Sequence, residues 1–305
     1  MTLKANLFLP QWHIDFTREL RTLADRPRFG PAGRPPRFQG AMAETPRFLH
    51  EEGLDAFEYQ AVRGVRISQN EAENLGSTAT KYDVSLTLHG PYFINLSGEK
   101  AVVDASKQRI IDSLKAASWM GAHQVVFHPG YYGVRSEKEA LDLCVKAMQE
   151  VVESAKTLGI HKVKLGPETS GKPTQVGSLD EILTMCTKVE ATSPTIDWAH
   201  IHARGNGAIK TRDDYVRIID SIEKKLGAEA VTNLHCHYTP VEFTLKGERC
   251  HHTMDEPGFG PDFKPFAEII IQLGLKPVII SESPLLDLDS IKMQKMVKEA
   301  STAKK

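Results

Sequence analysis

Cysteine is scarce and scattered. The chain has 305 residues, and its four cysteines, Cys144, Cys186, Cys236 and Cys250, include no CxxC pair. That scatter argues against a disulfide framework and a cysteine-based zinc knuckle, so any metal is expected to rely on histidine and carboxylate. Long apolar runs are missing too: no stretch approaches the roughly 18 uncharged apolar residues of a membrane span. The start, MTLKANLFLPQWHIDF, has neither a long apolar core nor a small-residue cleavage site. The expectation is a cytoplasmic protein with no membrane partner. Neither sign of charge dominates, because 38 Lys and Arg against 39 Asp and Glu leave a net charge of −1. The basic footprint of a nucleic-acid binder is therefore absent, and any case for DNA has to come from a site. The dinucleotide fingerprint GxGxxG after a first strand is missing as well; ARGNG after His202 is the nearest approach.

What is present is regular. Hydrophobic residues make up 41% of the chain and charged ones 25%, enough apolar material for one large core. Four times a helical pattern ends in Gly and a β-rich run follows at once: EEGLDAFEYQ, MGAHQVVFHPG, LGIHKVKLGPE and LGLKPVIISES. Gly just past a helix supplies the left-handed residue that stops it, so these are helix-to-strand junctions. Filling in between them places eight strands, near Arg28–Phe29, Asp55–Gln60, Ser85–His89, Gln124–His128, Lys162–Glu168, Pro194–Asp197, Thr232–His237 and Pro277–Glu282. Helical periodicity covers stretches such as Lys100–Met120, Glu137–Leu158 and Arg212–Leu226. Strict alternation implies a parallel sheet, and eight units favour a closed (β/α)8 TIM barrel of the α/β class over a doubly wound sheet. No linker splits the chain, so one domain is expected over 1–305, with an N-terminal arm over 1–27 and the barrel over 28–305. The Pro-, Gly- and Arg-rich segment from Arg26 to Gly40 reads as irregular, crossing from the first strand to the first helix on the functional face.

Histidines and acids sit at consecutive strand ends: His89, His128, Glu168, Asp197 with His200, His235 with His237, and Glu282. In a barrel these ends meet on one face. Carboxylates so gathered repel and lose hydration, whereas a bound divalent ion favours their ionised form. Neutral imidazole with carboxylate is a donor set that zinc or manganese accepts. After the seventh strand the loop KGERCHHTMDE adds Glu248 and His251 as further candidate ligands, with His252 beside them. His13, His50, His123 and His161 read as ordinary structural histidines.

The motifs LTLHGPYFINL, VFHPG, PETSGK, IDWAHIHA, LHCHYT and IISESP, in this order, resemble the endonuclease IV family of apurinic/apyrimidinic endonucleases from about Leu86 to Pro284. The resemblance implies a site of two or three zinc ions, with manganese as the alternative, that cuts the phosphodiester 5′ to an abasic site in double-stranded DNA. It implies ligands at His89, His128, Glu168, Asp197, His200, His235 and Glu282, with Glu168 bridging or orienting the nucleophile. The family's remaining Asp and His, two apart, are replaced by Glu248 and His251, three apart. Tyr92 and Phe93 stand where that family inserts side chains at the lesion, while Lys172 and Arg204 lie beside the site as candidates for flanking phosphates. Departures such as FGPAGRP and GERCHH point to a divergent, archaeal-like branch, and the family implies a monomer. Three zinc ions would outweigh four carboxylates and make the pocket positive in a nearly neutral protein. The rival is a single-metal sugar isomerase or epimerase of the xylose-isomerase-like group, which needs only Glu168, Asp197, His235 and Glu282.

Overall fold

Eight parallel strands form the frame: β1 (Arg28–Pro31), β2 (Ala56–Gln60), β3 (Ser85–His89), β4 (Gln124–Phe127), β5 (Lys164–Pro167), β6 (Thr195–Asp197), β7 (His235–Tyr238) and β8 (Val278–Ser281). They are seen in a computed structural model that describes residues 25–303, so the expected N-terminal arm lies outside the described residues except for 25–27. Ladders join β2 to β3, β4 and β5 in one run, and β6 to β7, β8 and β1 in another. Parallel bridges between Ala32 and Glu58 and between Glu168 and Thr195 connect the two runs at both seams, giving a TIM barrel. The first seam depends on Gly30, where a Cβ would sit 1.7 Å from the carbonyl oxygen of Ala56. Only glycine lets these strands approach so closely.

The helices pack around the strands. They are α1 (Thr45–Glu51), α2 (Gln69–Lys81), α3 (Lys100–Met120), α4 (Glu137–Thr157), α5 (Leu179–Lys188), α6 (Trp198–Arg204), α7 (Arg212–Leu226), α8 (Ala228–Thr232), α9 (Lys264–Leu273) and α10 (Asp287–Ala303). Ser-x-x-Glu sequences start α2, α4 and α5, and in each the serine and glutamate cap one another's backbone, as in Ser136 with Glu139. Along α4 the buried residues Ala140, Cys144, Met148, Val151 and Ala155 recur at three- and four-residue spacing and face the core. Each large apolar side chain so buried stabilises the fold by about 1.5–3 kcal/mol. The junction glycines Gly53, Gly121, Gly159 and Gly274 all have φ between 64° and 80°, as the helix-stop pattern requires.

Three departures bear on the site. β7 begins at His235 rather than Thr232, because 228–232 complete the short helix α8. The segment after β7 is an antiparallel hairpin, Val241–Thr244 with Gly247–His251. Arg26 and Arg28, at the start of β1, pair with Asp25, Asp55 and Asp83 at the barrel end opposite the histidines rather than on the functional face. No described helix is long and apolar enough to cross a membrane.

Candidate metal centre at the strand ends

Strand register decides which side chains reach the barrel mouth. His89 and Asp197 are the last residues of β3 and β6, and His128, Glu168 and Glu282 follow β4, β5 and β8 directly. On β7, His235 lies opposite Thr195 and Val278, whereas His237 lies opposite Asp197 and Ile280. Alternation points both histidines inward but one layer apart. His237 therefore enters the cluster: its Nδ1 is 3.0 Å from Glu168 Oε1, 3.5 Å from Glu282 Oε1 and 4.0 Å from Asp197 Oδ2. His235, the residue expected as ligand, sits a layer below. Its Nε2 lies 3.1 Å from Glu58 Oε2, and its ring packs edge-on to His123 at 5.9 Å.

Four histidines share one arrangement, with Nδ1 held from behind and Nε2 presented to the pocket. Nδ1 of His89 lies 2.9 Å from the Gly90 carbonyl, that of His200 2.8 Å from the Thr169 carbonyl, and that of His251 3.1 Å from the Glu282 carbonyl. A carbonyl only accepts, so Nδ1 carries a proton and Nε2 is the nitrogen left to take a metal once it has given up its own. His128 Nδ1 faces Ser170 Oγ at 3.3 Å. His237 is reversed: Nε2 lies 3.1 Å from Glu58 Oε1, which leaves Nδ1 for the cluster. Metal-binding histidines are commonly oriented by such partners on the second nitrogen.

Glu168 occupies the middle. Its Oε2 faces His89 Nε2 at 3.3 Å and His128 Nε2 at 3.4 Å, while its Oε1 faces His237. Asp197 both caps α6, accepting from the His200 amide at 2.6 Å, and turns Oδ2 into the pocket. Glu248 spans the two outer histidines, with Oε2 3.1 Å from His200 Nε2 and Oε1 3.2 Å from His251 Nε2. The three-residue spacing of Glu248 and His251 has a local cause. In the hairpin Val241 pairs with His251, Glu242 with Cys250 and Phe243 with Glu248, so Arg249 is the extra residue of a β-bulge. A bulge shifts the alternation by one, which lets residues three apart share a face. Beneath them, a Cβ on Gly171 would lie 2.8 Å from Glu248 Cβ and 3.0 Å from His200 Cδ2, so the PETSGK loop reaches the hairpin only through glycine.

The electrostatics is that of a cation site filled by protons. Burial opposes charge on His89, but the hydrogen bond and charge of Glu168, with Glu58 and Glu282 behind it, raise its pKa to about 9. Burial also opposes charge on His251, and Glu248, Glu282 and Asp197 overcome it, again to about 9. Glu168 is held well below the usual carboxylate range: burial works against this, and His128, His237 and His200 outweigh it. Burial, with Glu282 and Glu168 nearby, lifts Asp197 to about 6 despite His200. Desolvation drops His128 to about 4. Asp197 Oδ2 is buried without a hydrogen-bond partner, and Glu168 Oε2 and His251 Nε2 are buried against only the imidazole and carboxylate groups just described, with no well-formed hydrogen bond. Unpartnered buried acceptors amid imidazoles and carboxylates suit a divalent ion such as zinc or manganese. The donor atoms of Glu168, Asp197, His237 and Glu282 all lie within 4.8 Å of one another, as do those of His89, His128 and Glu168, and those of His200, His251 and Glu282.

Among the rim candidates, Tyr92 and Phe93 are 59% and 66% exposed on the loop after β3, and the Tyr92 ring lies 6.1 Å from that of His89. Lys172, the last residue of PETSGK, is exposed. Arg204 is turned inward: its guanidinium donates to the carbonyls of Lys172 and Gln175 at 2.7 and 2.9 Å and to the Tyr132 hydroxyl at 2.9 Å. Its donors brace that loop rather than face a ligand. Glu58 is the residue sequence reasoning passes over. It is fully buried on β2, accepting from Thr87 Oγ1 at 3.0 Å and Gln60 Nε2 at 3.1 Å besides contacting His235 and His237. An acid inside the run AFEYQ is its signal, and attention to strand ends alone misses it.

Residues 46–300 match the family model of the xylose isomerase-like TIM barrel. An uncharacterized protein of Methanocaldococcus jannaschii is 31% identical over 252 residues, covering 82% of this chain and 90% of that one. Among solved structures, endonuclease IV from Thermus thermophilus is similar with a TM-score of 0.68 and 19% identity, covering 90% of this chain and all of that one. A D-tagatose 3-epimerase-like protein is similar with a TM-score of 0.65 and 19% identity, covering 91% and 99%. At such identities the two structures share a fold with this chain, and activity has to be argued from the site.

Proposed function

The chain belongs to the xylose isomerase-like TIM barrel family, and within it we propose a metal-dependent DNA-repair endonuclease that hydrolyses the phosphodiester 5′ to an abasic site in duplex DNA. One observation carries this reading. Beyond the quartet Glu168, Asp197, His237 and Glu282, which is enough for one ion, four more histidines and Glu248 turn ligand atoms into the same pocket. A one-metal enzyme has no use for them; a polynuclear phosphodiesterase does.

In this reading the quartet holds one ion, His89 and His128 with Glu168 a second, and His200 and His251 with Glu282 and Glu248 a third. Bound divalent ions supply water activation near neutral pH and stabilisation of the leaving oxygen. The chain's own part is positional. Glu168, between two of the groups and clasped by His237, is placed to orient the attacking water. The carbonyls of Gly90, Thr169 and Glu282 fix three imidazole planes. Tyr92 and Phe93 offer aromatic faces at the rim on which an unpaired or flanking base can stack, and Lys172 offers a charge for the backbone.

The test is incubation of the full chain, loaded with zinc or manganese, with a duplex carrying one abasic analogue. Cleavage 5′ to the analogue, absent from undamaged duplex, is the expected result. A specific observation favours a second reading: the quartet alone is a complete one-metal set, as a ketose epimerase of this barrel type requires. Intact DNA together with epimerisation of a ketohexose by the same preparation would select that reading.

A further inference from the structure

The hairpin that brings Glu248 and His251 to the centre has a second face. Because of the bulge at Arg249, Cys250 and Glu242 pair across the strands on the side away from Glu248 and His251, and His252 follows immediately. Cys250 Sγ lies 3.3 Å from Glu242 Oε2 and 3.4 Å from His252 Nε2, and the third side of the triangle, His252 Nε2 to Glu242 Oε2, is 3.7 Å. With metal–sulfur bonds of about 2.3 Å and metal–nitrogen or metal–oxygen bonds of about 2.0 Å, neighbouring donors of a tetrahedral zinc ion lie about 3.3–3.6 Å apart. The observed triangle has almost those dimensions.

Two of the three donors are also anchored behind. His252 Nδ1 lies 2.6 Å from Glu256 Oε2, and Glu256 Oε1 accepts from the Thr253 amide at 3.0 Å. The carboxylate thus directs Nε2 at the other two donors, as partners of metal-bound histidines do. The His252 ring stacks on Phe259, with centroids 3.5 Å apart and planes 6° from parallel. The second oxygen of Glu242 is taken by Arg249. Cys250 is exposed, so the fourth position of a tetrahedron opens to solvent.

We propose that Glu242, Cys250 and His252 form a second, outer metal site, separate from the centre at the strand ends, for a single thiophilic divalent cation of the zinc type. A thiolate with imidazole and carboxylate selects zinc over magnesium or calcium. The ion clips the hairpin to the loop from Thr253 to Phe259 and so steadies the strand whose other face carries Glu248 and His251. The scatter of cysteines that excludes a zinc knuckle leaves this site open, because it needs only one thiol.

Cobalt(II) separates this site from the centre, whose donors are nitrogen and oxygen only. Titrating the full chain with cobalt is expected to give a near-ultraviolet thiolate-to-cobalt charge-transfer band, absent from Cys250→Ser and lost or weakened at least about ten-fold in apparent affinity in His252→Ala. Zinc is also expected to slow alkylation of Cys250 by iodoacetamide about ten-fold or more, since a coordinated thiolate is a poor nucleophile. Cys250 is exposed, so the serine variant removes no core packing. No charge-transfer band in the wild type, or a band that survives in Cys250→Ser, overturns the proposal. Neither result bears on whether the centre cuts DNA.

Discussion

The floor of the centre and its hairpin wall hold similar side chains by different means. Glu58, Glu168, Asp197 and His237 are wholly buried on strands or directly after them, and barrel register fixes their heights. Glu248 and His251 have side chains about a fifth exposed, 22% and 21%, on a two-stranded hairpin whose bulge sets their direction. The floor cannot move without breaking ladders shared by the whole barrel. Among the described residues the hairpin shares no ladder with the barrel: it leans on α6 and, through the Glu248 amide and the Gly171 carbonyl, on the PETSGK loop, and a two-stranded ribbon has little stability of its own. Barrel register and local support are thus divided between the two walls of one pocket, and substitutions on each should fail differently.

The sharpest break is at the centre of the floor. Glu168→Gln keeps the shape of the side chain and removes its charge; cleavage of the abasic-analogue duplex is expected to fall about a thousand-fold or more, with most of the metal retained. Single-turnover rates alongside metal analysis check this, and activity within ten-fold of the wild type would remove Glu168 from its role.

One layer down, two histidines test the register. His237→Ala is expected to lose bound metal, whereas His235→Ala keeps the wild-type stoichiometry and loses only stability. Glu58→Gln should leave the barrel folded yet weaken metal affinity about 10–100-fold, the usual effect of removing the partner of a metal-bound histidine. Equal metal loss in the two histidine variants would mean that the layer assignment is wrong.

The hairpin wall calls for a gentler change. Gly171→Ala places a methyl against Glu248 and His200. The expected outcome is loss of the outermost ion of the centre, with the quartet still loaded and thermal stability lowered by no more than about 1–3 kcal/mol. Metal counting by mass spectrometry under native conditions reads the difference.

How much of this is legible in the sequence follows the same division. The eight strands, the helix-stop glycines and the positions of the candidate ligands His89, His128, Glu168, Asp197 and Glu282 can be placed because alternation and junction signals are local. The choice between His235 and His237 cannot be made from sequence, since the separation of two inward layers depends on where β7 pairs with β6 and β8. Thr232, which reads as the start of a strand, instead ends a helical turn over 228–232, which moves the strand start to His235. Glu58 escapes notice because its value comes from residues about 180 positions away. The unusual spacing of Glu248 and His251 becomes intelligible only with the bulge at Arg249, which no composition or periodicity reveals. Arg204 reads as available for phosphate until its hydrogen bonds are counted.

The smallest signal expected is counted in protons. In the metal-free chain His89 and His251, one on each wall, have pKa values raised to about 9, by Glu168 and by Glu248 respectively, against the opposing effect of burial. At pH 7 both imidazoles are therefore charged, and a charged imidazole has no lone pair to give. Metal uptake must expel those protons and also those of His200 and His237, which against burial are held well above the usual imidazole range by Asp197, Glu168 and Glu248 and, for His237, by Glu58, Glu282 and Glu168, so apparent affinity should rise as pH increases from 7. Zinc titration in weak buffer with a pH indicator is expected to release more protons at pH 7 than at about pH 9.5, where His89 and His251 are already largely neutral. His251→Ala should remove one released proton without abolishing uptake by the floor, whereas His89→Ala should remove a proton and weaken binding there. If release is unchanged in His251→Ala, the hairpin wall does not take part in holding metal, and the division between floor and hairpin wall loses its chemical basis.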